Sequence, residues 1–518
     1  MKRTTTLLIL VTALAAALRL CGLTHQSFWG DEAFSVYAAR GVDMRFMSAS
    51  LVDATHRRFV NPRPTLRRVV EACLRNEGTP PAYYAALALW IRLFGGGEFA
   101  CRALSAAAGV LAVPAVYLAG LRIFRRKDTA LLAALLLAVS PAAIFFSQEA
   151  RAYSAANLLV LLSSWLFLRA LDEGRRFGPW AAYALSALLL CYTFYFACLA
   201  LVAHGIFAAA RRRGVWPWLC SMAAVGILYL PWLAVGFRMQ LMVSSSYSRP
   251  GPAGVPEFLR ASLRGLRYVL DSLLFGPMHS RVFITVPVKR AVWIGMAALL
   301  ACGTGRLWRA GARRAAAFPL LLAAVPLAAV FALGAARWTL WYMKPRYHLW
   351  ESAGLLLLAA GAIATFRRTW VRAALAAAIC LFSLAAAPYH FYPGALASDH
   401  AKEDFRGAAA IISAREERGD LILVNIPGHM IPLNYYYRGG LRQVGLAECG
   451  RYDLAEQLER YARGRRRIWA LIGGGTRGHG DQEIAAFLNA RFLAKEKFPL
   501  RGIDLTLYAR PGPGNGPR

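Results

Sequence analysis

Long apolar runs alternate with short polar stretches up to residue 388 of the chain. A helix needs about 20 mostly apolar residues to cross a bilayer, and most of these runs approach that length. The pattern therefore predicts a polytopic, mainly α-helical membrane protein with about eleven spans. The predicted spans are residues 4–23, 99–121, 129–147, 152–171, 178–193, 195–210, 216–236, 289–305, 315–335, 349–366 and 371–388.

The charge of the loops predicts how these spans are oriented. With Lys2 and Arg3 in the cytoplasm, the loops on the cytoplasmic side contain "RIFRRKD", "DEGRR", "RRR", "RLWRAGARR" and "FRRTWVR", and all of them are basic, as the positive-inside rule requires. The first run resembles a signal peptide, but Arg19 interrupts the region where a cleavage site would lie, so we expect an uncleaved anchor. The run at residues 80–95 is only about 16 residues long and predicts an interfacial helix. The predicted location is the cytoplasmic (inner) membrane.

Three longer polar segments are predicted to lie outside: residues 24–98, residues 237–288 and the C-terminal residues 389–518. The pattern of the C-terminal segment changes to that of an α/β domain. Helices are predicted at "KEDFRGAAAIISAREERG" and "DLAEQLERYARG", and strands at "DLILVNI" and "RRIWALIGGG". We therefore expect a membrane domain at residues 1–388 and an extracytoplasmic α/β domain at residues 389–518, which we expect to assist acceptor use and not to perform chemistry.

Composition excludes several other classes. The net charge of +33 comes from short basic clusters between apolar runs, not from one basic face, so nucleic acid is not an expected partner. The nine cysteines lack the paired spacing of a zinc site. Only Cys73 and Cys449 lie in long polar segments, and nothing further supports a disulfide between them. Residues 473–478, "GGGTRG", formally satisfy G-x-G-x-x-G, but no acidic residue follows at the required distance, so a plain glycine turn is predicted.

Candidate chemistry begins directly after the first span, where Asp31 and Glu32 are adjacent in "SFWGDEA". Ionised side chains at a membrane surface are costly unless water or a cation is near. The two acids are either solvated residues at a helix end or part of a site. A third acid favours a site, because "SQEARAYS" brings Glu149, Arg151 and Tyr153 to the predicted exit of the third span, on the same side as Asp31.

Cations are predicted on that side too. "YMKPRYHLWES" contains Lys344, Arg346 and His348 at the outer start of the tenth span, and six arginines lie in the first outer loop: Arg57, Arg58, Arg63, Arg67, Arg68 and Arg75. These cations either contact anionic headgroups of membrane lipids or bind a substrate. Carboxylates facing Lys and Arg next to lipid suit a phosphate carried on a lipid.

These motifs resemble those of family 39 and related GT-C glycosyltransferases, which include protein O-mannosyltransferases and aminoarabinose transferases. "SFWGDEA" is similar to the family's aromatic-x-Asp-Glu-Ala motif, and "TPPAYYAALALWIRLFGGGEFACRALSA" to its Pro-Pro-x-Tyr-Tyr segment and the motif after it. "FSQEARAYS" and "KPRYHLW" are similar to later motifs. The resemblance covers roughly residues 1–360. Two departures are Thr79, where many members have His or Lys before Pro-Pro, and Glu149 as the acid of the second outer loop.

The resemblance implies a GT-C fold and transfer of a sugar, with inversion, from a polyprenyl-phosphate donor to a hydroxyl or amine of a lipid, glycan or protein acceptor on the outer face. It makes Asp31 the catalytic carboxylate, with Glu32 and Glu149 orienting the acceptor or holding a divalent cation; any metal would involve Asp31 and Glu149. Arg346, Lys344 and Arg151 are expected to bind the donor phosphate. Substrate contacts are expected from Tyr153, Tyr83 and Tyr347.

A phosphate leaving group needs no protonation, so the carboxylate is expected to act as a base or to stabilise the developing positive charge of the sugar. Two other functions remain open at this point. A lipid-linked substrate transporter or flippase would also have many spans and outer charges, although no inverted repeat is visible. A non-catalytic glycolipid-binding membrane protein is the third alternative, and for it the acid pair would be dispensable.

Overall fold

The computed structural model describes residues 2–48, 51–61, 65–246, 254–276, 285–336, 343–386, 402–446, 454–473 and 479–511. Its contacts divide the chain into two compact units. The first unit comprises Met1–Leu23, Glu77–Ala86 and Phe99–Tyr392, and the second comprises Thr24–Asn76, Leu87–Glu98 and Pro393–Arg518. The predicted domain boundary after residue 388, Arg63, Cys449 and most of the predicted glycine turn lie outside the described residues.

Helices form most of the chain. In order they are α1 Lys2–Leu20, α2 Gly30–Ala39, α3 Leu66–Asn76, α4 Ala82–Phe94, α5 Glu98–Phe124, α6 Lys127–Val139, α7 Pro141–Ser147, α8 Tyr153–Glu173, α9 Phe177–Cys191, α10 Leu199–Ala210, α11 Val215–Trp232, α12 Arg238–Ser246, α13 Val255–Phe275, α14 Val286–Arg309, α15 Arg313–Ala336, α16 Leu349–Ala364, α17 Thr369–Ala386, α18 Phe405–Arg415, α19 Met430–Tyr436, α20 Leu454–Ala462 and α21 His479–Arg491.

The predicted polytopic helical architecture is confirmed. Six helices among the described residues are long and apolar enough to cross a membrane, and a seventh span results if α6 and α7 count as one. All eleven predicted runs coincide with helices, but several of these, such as Phe177–Cys191 and Leu349–Ala364, are shorter apolar helices of 10–17 residues. The run predicted to be interfacial is also a short apolar helix, Ala82–Phe94.

The third predicted span is broken. Helices α6 and α7 meet at an angle of 57°, and Pro141 is the first residue of α7. Proline lacks the N–H needed to continue a helix and is tolerated in a first turn, so it ends α6 and starts α7.

Elsewhere in the first unit, Asp172 forms ion pairs with Arg122 (3.4 Å) and Arg314 (2.6 Å), which join α5, α8 and α15.

The second unit contains a six-stranded sheet. Its strands are β1 Leu51–Ala54, β2 Leu421–Val424, β3 Arg442–Leu446, β4 Arg467–Gly473, β5 Leu493–Leu500 and β6 Ile503–Ala509. The strand order is β1-β3-β2-β4-β6-β5, with β2 parallel to both β3 and β4. The predicted α/β pattern is thereby confirmed. The edge strand β1 comes from the first outer loop and pairs antiparallel with β3.

Apolar side chains on one face of this sheet pack against α20 and α21. The buried cluster comprises Leu421, Leu423, Val444, Leu446, Leu458, Tyr461, Ala462, Ile468, Ala470, Ile484, Phe487, Leu488, Phe492 and Tyr508. The alternating burial of β6 follows its sequence, because residues at every second position of a strand share one face.

Candidate active site

Asp31 and Glu32 occupy the first turn of α2, in the second unit. Acidic side chains are favoured there because the N-terminal end of a helix carries a partial positive charge. The Asp31 side chain is half-buried, whereas Glu32 is fully buried. The Nζ atom of Lys402 lies 2.9 Å from Oε2 of Glu32, so the buried carboxylate has a cationic partner.

Glu403 brings another carboxyl group close to the same turn. Burial raises the pKa of its side chain, and the negative charge of Asp31 raises this pKa further, while Lys402 lowers it. Two charged residues from the C-terminal part of the unit, Lys402 and Glu403, thus lie close to the first turn of α2.

Glu149 lies in the first unit, two residues after α7 ends, and its side chain is buried. Its position depends on the broken span. The guanidinium of Arg19 in α1 donates hydrogen bonds to the carbonyl oxygens of Leu137 (3.0 Å) and Ala138 (2.8 Å), at the C-terminal end of α6. The last carbonyls of a helix lack the usual intrahelical donors, and a cation is favoured beside them. The Leu137 carbonyl also accepts from the N–H of Ser140, which caps α6, at 3.4 Å.

Gln148 makes the reciprocal contact. Its Nε2 donates to the carbonyl oxygens of Cys21 (2.7 Å) and of Leu18 and Arg19 (both 3.3 Å), at the end of α1. Arg19 of α1 therefore caps the end of α6, and Gln148, which follows α7, caps the end of α1. The residue after Gln148 is Glu149, so these caps fix the backbone that carries this acid.

Tyr153 is the first residue of the next helix, α8, and Arg151 lies two residues before it. The Arg151 guanidinium lies 5.6 Å from the centre of the Tyr153 ring, a distance at which a cation is attracted to the face of an aromatic ring. The carbonyl of Arg151 accepts a hydrogen bond from Ser105 Oγ (3.0 Å), and this hydroxyl also pairs with the Tyr83 hydroxyl at 2.8 Å. The "TPPAYY" and "SQEAR" motifs therefore meet through one serine.

The "KPRY" motif forms a short 3-10 turn, Pro345–Tyr347, directly after Lys344. The Arg346 guanidinium lies 5.4 Å from the centre of the Tyr347 ring. Tyr347 also packs against Phe196, with ring centres 5.4 Å apart. Next to the turn, buried His348 hydrogen-bonds through Nδ1 to Glu351 at 2.9 Å.

Three of the motifs converge on one cavity within the first unit. It has a volume of about 370 Å³, and its lining includes Thr79, Tyr84, Arg151, Phe194 and Tyr347. Most of the wall is aromatic or aliphatic. The Oγ1 atom of Thr79 is buried and has no hydrogen-bond partner among the described residues. The cavity thus combines apolar walls with one arginine, one carboxylate from Glu77 and one hydroxyl with spare hydrogen-bonding capacity.

The predicted site residues are distributed over both units. Arg151 and Tyr347 line the cavity, and Tyr153 packs against its wall residue Phe194, with ring centres 5.7 Å apart. Tyr83 is linked to Arg151 through Ser105, and Lys344 and Arg346 are adjacent to Tyr347 in the chain. Asp31 and Glu32 belong to the second unit. The chemical roles assigned to these residues stay predictions.

Sequence reasoning missed Arg19, Gln148 and Lys402. The sequence could have indicated the role of Arg19, because an arginine inside an apolar run needs a buried partner or access to water. Lys402 carries no such signal, because nothing local connects it with a residue 370 positions earlier. For a divalent cation, no group of three His, Cys, Asp or Glu side chains close enough to bind one occurs within the described ranges.

The chain is similar to known proteins both in part of its sequence and in its fold. The sequence profile described as dolichyl-phosphate-mannose-protein mannosyltransferase matches residues 78–234, which include "TPPAYY" and "SQEAR". No curated protein sequence matches the chain.

Solved structures extend the similarity to nearly the whole chain. ArnT from Cupriavidus metallidurans in the apo state is 13% identical, with 97% of each chain covered and a TM-score of 0.56. The same protein bound to undecaprenyl phosphate gives 14% identity, 98% and 99% coverage and a TM-score of 0.50. The oligosaccharyltransferase AglB from Archaeoglobus fulgidus, in complex with an inhibitory peptide and a dolichol-phosphate, is 13% identical over 90% of this chain and 69% of its own, with a TM-score of 0.51.

The chain therefore has the fold of the GT-C glycosyltransferases, which are integral membrane enzymes, and the resemblance inferred from the motifs is confirmed. At this level of sequence identity the similarity establishes the fold alone. The protein is a multi-pass membrane protein of the glycosyltransferase fold class.

Proposed function

We propose that the protein is a polyprenyl-phosphate-dependent glycosyltransferase. It transfers a sugar, with inversion, to a hydroxyl or amine of an acceptor on the outer face of the cytoplasmic membrane. The observation that carries this proposal is the convergence of the "TPPAYY", "SQEAR" and "KPRY" motifs on one apolar cavity that contains Arg151.

The cavity fits the part of a donor that joins a lipid chain to a phosphate. Aromatic and aliphatic walls suit the first isoprene units, and a guanidinium suits a phosphate because it donates two parallel hydrogen bonds. Lys344 and Arg346 add positive charge next to Tyr347. ArnT binds undecaprenyl phosphate and AglB binds a dolichol-phosphate, which supports a lipid phosphate as the ligand of this protein as well.

In the proposed reaction, Asp31 accepts the proton of the acceptor O–H or N–H. The acceptor atom then forms a bond to the anomeric carbon of the sugar while the bond from that carbon to the phosphate oxygen breaks. The electron pair of that bond leaves with the lipid phosphate, whose growing negative charge the arginines and the lysine stabilise. A single displacement of this kind inverts the anomeric configuration.

The proposal is tested with purified protein in nanodiscs and a panel of polyprenyl-phosphate sugars. The assay measures donor hydrolysis, transfer to extracted envelope lipids and glycoproteins, and donor binding. We expect turnover of at least one donor and release of polyprenyl phosphate. Arg346→Ala should both weaken donor binding and slow transfer, because a phosphate contact acts before and during bond cleavage.

Two outcomes would contradict the proposal. Movement of an intact lipid-linked sugar across a vesicle membrane, without bond cleavage, would indicate a flippase or transporter. Donor binding without turnover for every sugar and every acceptor extract would indicate a non-catalytic glycolipid-binding protein.

A further inference from the structure

A short piece of the C-terminal chain runs along the turn that carries the acidic motif. We call residues 402–406 the clasp and residues 24–32 the motif turn; both belong to the second unit. Four polar contacts join them. They are Lys402 N to Gln26 Oε1 (3.2 Å), Lys402 Nζ to Glu32 Oε2 (2.9 Å), Ser27 Oγ to the Glu403 carbonyl (2.5 Å) and an Arg406 guanidinium nitrogen to the Thr24 carbonyl (2.9 Å).

The contact between Lys402 and Glu32 differs from the ion pairs on the surface of the unit. The Glu32 side chain is 0% exposed and that of Lys402 is 11% exposed. Exposed pairs contribute little to stability, but removing one partner of a buried pair leaves an uncompensated charge, which is strongly unfavourable. Lys402 therefore helps to hold the Glu32 carboxylate in its buried position.

The clasp is itself fixed in the α/β fold. The Nε atom of Arg501 donates to the Lys402 carbonyl at 3.0 Å, and the Asp404 N–H donates to the Arg501 carbonyl at 2.9 Å. Arg501 lies in the turn between β5 and β6, next to Gly502, whose φ of +69° favours glycine. Lys402 is thus held by the sheet on one side and by the motif turn on the other.

Holding Glu32 also fixes Asp31. Successive residues of a helix point about 100° apart, so a buried Glu32 determines which way Asp31 faces. The aromatic side of the turn is held too. Phe28 packs edge-on against Tyr435, with ring centres 4.7 Å apart, and its backbone N–H donates to the Tyr436 hydroxyl at 2.7 Å.

We propose that Lys402 is a positioning residue for the reaction, which orients Asp31 through its buried ion pair with Glu32, and that Glu32 serves this pair instead of contacting substrate. The proposal rests on the proposed function, in which Asp31 is the reacting carboxylate. It also gives the C-terminal part of the chain a direct role in the geometry of the motif, beyond the predicted help with acceptor use.

The kinetic test compares four variants of the full-length protein in nanodiscs. Lys402→Met removes the cation that lies 2.9 Å from the buried Glu32 carboxylate, and misplacement of a reacting group by about 1 Å typically costs on the order of 100-fold in rate. We expect that loss in kcat, with the KM for donor little changed. Lys402→Arg should restore most of the rate because it restores the charge.

The double variant Glu32→Gln with Lys402→Met separates positioning from catalysis. Replacing both members of a buried ion pair by neutral side chains is often nearly neutral, in contrast to removing one. We expect the double variant to recover to within about tenfold of the wild-type rate. A transfer rate of the double variant below that of Lys402→Met alone would show that Glu32 acts on substrate and would overturn the proposal.

Arg442→Met is the matched control. Arg442 also pairs with an acid of the first outer loop, Asp53, but this pair joins β1 to β3 and its side chains are 45% and 33% exposed. We expect wild-type turnover for this variant. An equal loss of rate in Arg442→Met and Lys402→Met would mean that the loss of any contact between the loop and the sheet slows the reaction. That result would contradict a specific role of Lys402.

Hydrogen–deuterium exchange gives a second measurement that needs no substrate. Lys402→Met should increase the exchange of backbone amides in residues 27–33, whereas Arg442→Met should leave that peptide unchanged. Unaltered exchange in Lys402→Met would overturn the inference even if the enzyme is active. Absence of turnover in the wild-type protein, with the exchange result as expected, would instead count against the proposed function.

Discussion

Replacing Arg19 by methionine tests whether the broken span is held together by the cap that the structure shows. The Arg19 side chain is fully buried, and its guanidinium reaches the carbonyl oxygens of Leu137 and Ala138 at 3.0 and 2.8 Å. Methionine has a similar length but cannot donate a hydrogen bond. The variant therefore leaves the C-terminal end of α6 without this cap at its bend to α7.

The size of the effect follows from these two contacts. A hydrogen bond to a charged group contributes roughly 1.5–3 kcal/mol net, which gives a loss of roughly 3–6 kcal/mol for two of them. Methionine also removes the cost of keeping a charge inside the membrane region, which is roughly 2.5–3.5 kcal/mol on insertion scales. The midpoints of these two ranges differ by about 1.5 kcal/mol, and we expect a net destabilisation of about that size. The Leu137 carbonyl keeps the Ser140 N–H as a donor at 3.4 Å, so the larger loss falls on the Ala138 carbonyl.

The assay is equilibrium unfolding in mixed micelles, followed by tryptophan fluorescence while the fraction of denaturing detergent rises. Arg213→Met, at an exposed position in the predicted cytoplasmic loop before α11, serves as the control and should unfold like the wild type. Arg19→Lys should fall between the wild type and Arg19→Met, because lysine keeps the charge but not the two-pronged geometry. An unfolding midpoint of Arg19→Met equal to that of the wild type would refute the capping argument.

Three further results are expected. Thr79→Val should weaken donor binding several-fold and Thr79→Lys should strengthen it, because the Thr79 hydroxyl lines the cavity with its hydrogen-bonding capacity unused. The affinity is measured by titration with a polyprenyl phosphate. Unchanged affinity in both variants would exclude a phosphate contact at this position. Glu403→Gln should raise the melting temperature more at pH 8 than at pH 4. The pKa of Glu403 is raised in the folded state, so the stability of the wild type falls as the pH rises from the usual carboxyl range through that raised pKa. Glutamine does not titrate and escapes this loss. An equal gain in melting temperature at both pH values would contradict this prediction. In intact cells with the native cysteines replaced, an impermeant thiol reagent should label Arg418→Cys but not Arg212→Cys, and the reverse pattern would invert the predicted orientation.

The helices and strands whose signal lies within their own segment were predictable from the sequence. The strands at Leu421–Val424 and Arg467–Gly473 and the helices at Phe405–Arg415 and Leu454–Ala462 lie where periodicity and turn residues predict them. The apolar runs of the membrane region likewise coincide with helices. In each case a segment of about ten to twenty residues contains its own signal.

Features that depend on distant residues were not predictable. Strand β1 is four residues long and is defined by its pairing with β3, almost 400 positions later in the chain. In the sequence, Arg19 is noticeable because it interrupts a possible cleavage region, whereas in the structure its side chain is fully buried against the end of α6. Nothing near Lys402 in sequence indicates that it pairs with Glu32.

The candidate site shows the same division. Its motifs were recognisable because short runs such as "SQEAR" and "KPRY" combine charged and aromatic residues beside apolar helices. The cavity that joins them is lined by residues of α4, α12 and α15 and of the segments before α8, α10 and α16, and only the packing of these elements brings Arg151 and Tyr347 into one lining.

The rate of sugar transfer by Asp31→Asn tests the central claim most directly. Asparagine keeps the volume of the side chain and removes its charge, and loss of a general base costs roughly a hundred- to ten-thousand-fold in rate. In nanodiscs, with a donor that the wild-type enzyme uses, we expect transfer to fall by at least about a hundredfold while donor binding stays unchanged, because the phosphate is bound by cations and the lipid by apolar walls. Transfer by Asp31→Asn at the wild-type rate would contradict the assignment and would leave the two acids as solvated residues at the start of a helix.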